Sequence, residues 1–77
     1  MMIHMGADNR RELFQLRFKD VNISKAEIIK IIDGLVGLVD SGMSRVEIDK
    51  IINEISINKD FKTIFLKSPQ NAIKELR

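Results

Sequence analysis

The sequence predicts a mainly α fold: a small helical bundle of three longer helices followed by one or two short C-terminal ones. Three observations carry this. A helix-opening phrase, Ile23-Ser24-Lys25-Ala26-Glu27-Ile28, returns as Met43-Ser44-Arg45-Val46-Glu47-Ile48. Apolar residues after each opening recur at helical spacing of three and four. Gly42 and Ser68-Pro69 punctuate the chain where one helix should stop and another begin.

Each opening has the grammar of a capped helix. Ser at the N-cap and Glu three residues later can satisfy two orphan backbone donors reciprocally. The apolar residue before each Ser and the one four after it (Ile23 with Ile28, Met43 with Ile48) form a hydrophobic staple. Residues 24–57 therefore read as a central helical hairpin, turned by Gly42 as a left-handed C′ residue that sets its helices antiparallel.

Residues 8–20 admit two readings. As a helix, Asn9 caps, Glu12 completes a third capping box, and Leu13, Phe14, Leu16 and Phe18 make an apolar face. As a strand, Phe14, Leu16 and Phe18 alternate with Gln15, Arg17 and Lys19. The helix is preferred, because Asn9-Arg10-Arg11-Glu12-Leu13 repeats the opening phrase. Residues 1–7 are expected to fray.

The segment Ser24–Ser41 would form a helix about 27 Å long. It is apolar over most of its circumference, leaving only Lys30, Asp33, Gly34, Gly37 and Asp40 or Ser41 as a polar or small stripe. A surface helix of a monomer needs a narrower apolar stripe than this. The surplus predicts a homodimer in which Ile29 and Val36, seven residues apart, face a second chain. Gly34 and Gly37 would offer that chain a notch for close approach, or else stand as glycines on a wet face.

The next helix, Ser44 to about Ser56, turns Ile48, Ile51, Ile52 and Ile55 inward. Residues 59–77 then form a basic C-terminal segment, with five cationic and two anionic groups. Phe61, Ile64, Phe65 and Leu66 make a short helix capped by Asp60, with a strand over 63–67 as the alternative. Set among Lys59, Lys62 and Lys67, Phe61 and Phe65 read as a docking segment for an acidic groove, or as residues that close the core. Ser68-Pro69 starts a last helix bearing Ala72, Ile73 and Leu76.

At 77 residues the chain is one domain that buries about 60% of its unfolded surface. It has no Cys, so no disulfide or zinc finger can staple it, and oligomerisation is the remaining device. No apolar run nears the roughly 20 residues of a membrane span, and the N-terminus lacks the pattern of a signal peptide. A cytoplasmic protein follows as the expectation, free or encoded by a phage or mobile element, with no membrane role. The net charge of +2 does not by itself argue for nucleic acid.

Catalytic chemistry finds little to use. His4 is the only His, so no Ser-His-Asp or Cys-His set can form within one chain. Asp33 and Asp40 share a helix face and read as solvated beside Lys30. No phosphate-cradling glycine loop is present, and no Trp or Tyr offers a stacking platform. No enzyme activity, cofactor, metal or small-molecule substrate is expected.

The strand reading of Phe14-Gln15-Leu16-Arg17-Phe18-Lys19, followed by two helices with Gly42-Met43-Ser44-Arg45 between them, resembles the ribbon-helix-helix repressor family over about residues 13–56. That resemblance implies an intertwined DNA-binding dimer. Its paired strands would place Gln15, Arg17 and Lys19 in the major groove, and the helix start at Ser44 would meet a phosphate. The primary expectation is a non-catalytic regulatory or adaptor protein acting through helix-mediated protein contacts.

Overall fold

The computed structural model describes residues 6–76 as five helices, with no strand among the described residues: α1 (Gly6–Arg17), α2 (Lys25–Asp40), α3 (Arg45–Ile57), α4 (Lys59–Lys67) and α5 (Pro69–Leu76). The two repeated openings form as read. Ser24 and Ser44 sit in extended backbone, and each Oγ accepts the N–H of the Glu three residues on at 3.2 Å. At the end of α2, Gly42 has φ of 100°. Its N–H donates to Val39 O at 3.0 Å and that of Met43 to Leu38 O at 3.1 Å, the two bonds of a Schellman stop.

The later joints are tighter than the sequence indicates. Asn58 alone ends α3 and begins α4. Its N–H donates to Glu54 O, its Oδ1 accepts from Phe61 N at 3.1 Å, and its carbonyl accepts from Lys62 N. Asn58, not Asp60, is therefore the cap, and residues 63–67 are helix rather than strand. Ser68 does the same work between α4 and α5, donating to Ile64 O and accepting from Asn71 N.

Phe18 and eleven helical side chains are buried, with no buried polar side chain among the described residues. The main core cluster takes Ile31, Leu35 and Leu38 from α2, Ile48, Ile51, Ile52 and Ile55 from α3, Phe61 and Phe65 from α4, and Ala72 from α5. Helix α4 touches α2, α3 and α5, while α1 packs on α2.

Residues 8–17 form the helix that the sequence reading preferred, with its start corrected and the strand alternative excluded. The helix opens at Gly6, so Asn9 lies inside it rather than at its cap; no residue between them breaks a helix. Gly6 and Ala7 are thus helical, and residues 1–5 of the segment expected to fray lie outside the described residues. The strand reading is overturned: Gln15, Leu16 and Arg17 are helical, and 18–20 form a turn. Phe14 and Phe18, four apart, face the core, whereas Leu16 is 64% exposed. A lone strand would leave its backbone groups unpaired, which a helix avoids.

One ion pair locks α4 across the start of α2. Lys62 Nζ donates to Glu27 Oε1 at 3.1 Å. That bond, with the charge of Lys62 and the bonds from Ser24, holds the Glu27 carboxyl below its ordinary value against the opposing effect of desolvation. A depressed carboxyl stabilises the fold fully above the unfolded value and loses that contribution as pH falls through the folded one. Acidification below about 4.5, the ordinary glutamate value, is therefore expected to lower the thermal midpoint of the native chain. Glu27→Gln should flatten this part of the profile, and the two melting curves should converge in acid. Parallel profiles would show that the pair contributes nothing.

Candidate functional site: a groove beside the first helix

The residues expected to form an interface are largely used within the chain. Phe61 and Phe65 are 3% and 1% exposed and belong to the core, so they do not form a docking face. Gly34 is a notch, but its occupant is intramolecular: a Cβ there would lie 2.8 Å from Phe65 Cε1 and 3.2 Å from Pro69 Cγ. Gly37 is open, with nothing within 4 Å of such a Cβ.

Val36 is half-buried rather than open to a second chain. Asp33 and Asp40 bracket it on one face of α2, and α1 reaches both: Arg11 Nη1 meets Asp33 Oδ1 and Arg10 Nη1 meets Asp40 Oδ1, each at 2.7 Å. Adjacent arginines thus span carboxylates two helical turns apart, which puts α1 across this part of α2. The surplus apolar surface of α2 is covered by α1, α3 and α4 of its own chain. Ile29 stays half-exposed. Asp33 and Asp40 are solvated, as the sequence reads, with 62% and 61% of their side chains exposed, and are also ion-pair partners.

Of the residues assigned to DNA under the ribbon reading, Arg17 and Ser44 serve the helices. Gln15 is exposed on α1 and Lys19 in the turn after it. Arg17 Nη1 donates to Asp49 Oδ1 on α3 at 2.9 Å, and the Ser44 hydroxyl caps α3. The paired strand that the ribbon-helix-helix resemblance requires is absent from the described residues.

What the sequence reading missed is a groove of about 530 Å³ between α1 and the α2–α3 turn. Leu13, Phe14, Val39, Met43 and Ile48 form its apolar lining, and Arg10, Arg17, Arg45 and Asp49 its polar one. Arg10 and Arg17 lie seven residues apart on one stripe of α1, about 10 Å along the axis. Their ion pairs, one to α2 and one to α3, hold α1 astride the hairpin without closing the space between.

Of the lining, Leu13 is 53% exposed, and outside the groove Leu16 on α1 and Val46 on α3 are 64% and 66% exposed. It is the adjacent Arg10 and Arg11 that meet Asp40 and Asp33, seven residues apart on α2, while Arg17 meets Asp49 on α3, a pattern that the spacing in the sequence does not signal. Nothing in the sequence located the gap that results.

Among the described residues no three His, Cys, Asp or Glu side chains gather as a metal set, and His4 lies outside them. No described helix is long and apolar enough to cross a membrane. The chain matches no family model, curated protein or solved structure with which it was compared.

Proposed function

We propose that this chain is a small non-catalytic regulatory or adaptor protein that works through helix-mediated contacts with another protein. The observation that supports this most is the apolar groove between α1 and α3, with exposed Leu13 in its lining and exposed Leu16 and Val46 beside it. Exposed apolar side chains gathered beside a concave surface are characteristic of interaction sites, whereas singly scattered ones need no explanation. A groove between two helices accepts the ridge of a third.

Leu13→Glu combined with Val46→Glu tests it. Both side chains are more than half exposed, so helicity and melting temperature should be retained. In nuclease-treated extract of the native host, the native chain is expected to retain a protein that the double variant loses. Identical retention by both chains, or retention abolished by nuclease, would sink the reading. Self-association through α2 is a second part of the proposal, supported by half-exposed Ile29 and open Gly37 on that helix. Ile29→Lys should convert a native dimer to a monomer in sedimentation, and a native chain that sediments as a monomer removes this part.

A further inference from the structure

We infer that the groove between α1 and α3 is built for an acidic amphipathic helix of a partner protein. This rests on the proposed function and adds the chemistry of the partner. Three arginines and one aspartate line the groove on a surface that is otherwise apolar, and with Asp40 counted beside Arg10 the local charge is +1. Arg10 and Arg17 already share their charge with Asp40 and Asp49. Arg45 is exposed and has neither an ion pair nor a hydrogen bond among the described residues. The Nε–H of Arg10 is buried and lacks an acceptor among them.

Among the described residues, the cationic capacity at the groove thus exceeds what the paired carboxylates use, and an incoming carboxylate would meet it. The apolar lining sets the rest of the ligand. Arg10 and Arg17 mark out about 10 Å along α1, the length over which a docked helix presents anchors at i, i+3 or i+4, and i+7. Glutamates or aspartates flanking those anchors would meet Arg45 on one side and Arg10 or Arg17 on the other. An all-apolar helix would leave Arg45 unanswered, and a basic one would be repelled.

The test uses the full chain and a synthetic helical peptide with leucines at i, i+3, i+4 and i+7 flanked by glutamates. Its twin carries lysines in place of the glutamates. Nuclear magnetic resonance should show shifts at Leu13, Val39, Met43 and Ile48 on adding the glutamate peptide. Its affinity should fall as salt is raised. Arg45→Glu should weaken the glutamate peptide about tenfold and strengthen the lysine twin, with an unchanged circular dichroism spectrum.

Equal binding of both peptides to the native chain would overturn the acidic assignment while leaving the proposed function standing. Absence of groove shifts with either peptide would overturn both. Occupation of the groove by dodecanoate but not by peptide would assign it to an anionic amphiphile instead. A native dimer broken by Leu13→Glu would assign it to a second copy. Either result overturns the inference.

Discussion

Replacing Phe65 with alanine is expected to destabilise the protein by about 3–5 kcal/mol, measured as a shift in urea midpoint at constant slope. The ring is 1% exposed and packs over Gly34 of α2, next to Pro69 of α5. Its removal empties the place where α2, α4 and the start of α5 meet. A domain of this length has total stability on the order of 4–12 kcal/mol, so the loss should leave a partly unfolded population. Ile57→Ala is the contrasting case. Ile57 is 80% exposed, and the change should fall within about 0.5 kcal/mol of zero. A Phe65→Ala protein as stable as the native chain would mean that α4 does not depend on this contact.

The second large effect is a pair of opposite sign. Gly34→Ala adds a methyl 2.8 Å from Phe65 Cε1, 3.0 Å from Cζ and 3.2 Å from Pro69 Cγ. The ring is 1% exposed and must shift within the core to admit the methyl, so the strain should outweigh the helix propensity gained and destabilise by about 1–3 kcal/mol. Gly37→Ala meets nothing within 4 Å. It should stabilise by up to about 1 kcal/mol through propensity alone. For a domain of this size each kcal/mol moves the melting temperature by about 4–8 °C, so scanning calorimetry will separate the two. Stabilisation by both substitutions would show that the contact with Phe65 is slack.

These two glycines show where reading the sequence reached its limit. Three residues apart on one helix, they looked like a common notch for a second chain. Only the folded chain shows that Phe65, thirty-one positions after Gly34, occupies one of them and leaves the other open. Phe61 and Phe65 illustrate the same limit. Their spacing of four states that they share a face, but a face turned to the core and one turned to a partner have the same period. The alternation at Phe14, Leu16 and Phe18 failed for a related reason. It fits a strand as well as it fits a helix that buries only the first and third, and a core that takes two of them decides the matter.

Most of what has its cause within about one helical turn was legible in the sequence, the Asn58 cap and the start of α1 at Gly6 excepted. The caps at Ser24 and Ser44, the left-handed stop at Gly42, the proline start at Pro69 and the inward isoleucines of α3 all follow from bonds or packing set by residues three to five positions apart. The tertiary structure alone decided which apolar faces found cover. The broad apolar surface of α2 reads as a missing partner in sequence, yet α1, α3 and α4 cover most of it. Phe14 and Phe18 pack α1 and the turn after it against the core, and three arginines on α1 add pairs to Asp40, Asp33 and Asp49. The groove beside α1 is the space this placement leaves, because hydrophobic burial is non-directional and local spacing does not encode what a face will meet.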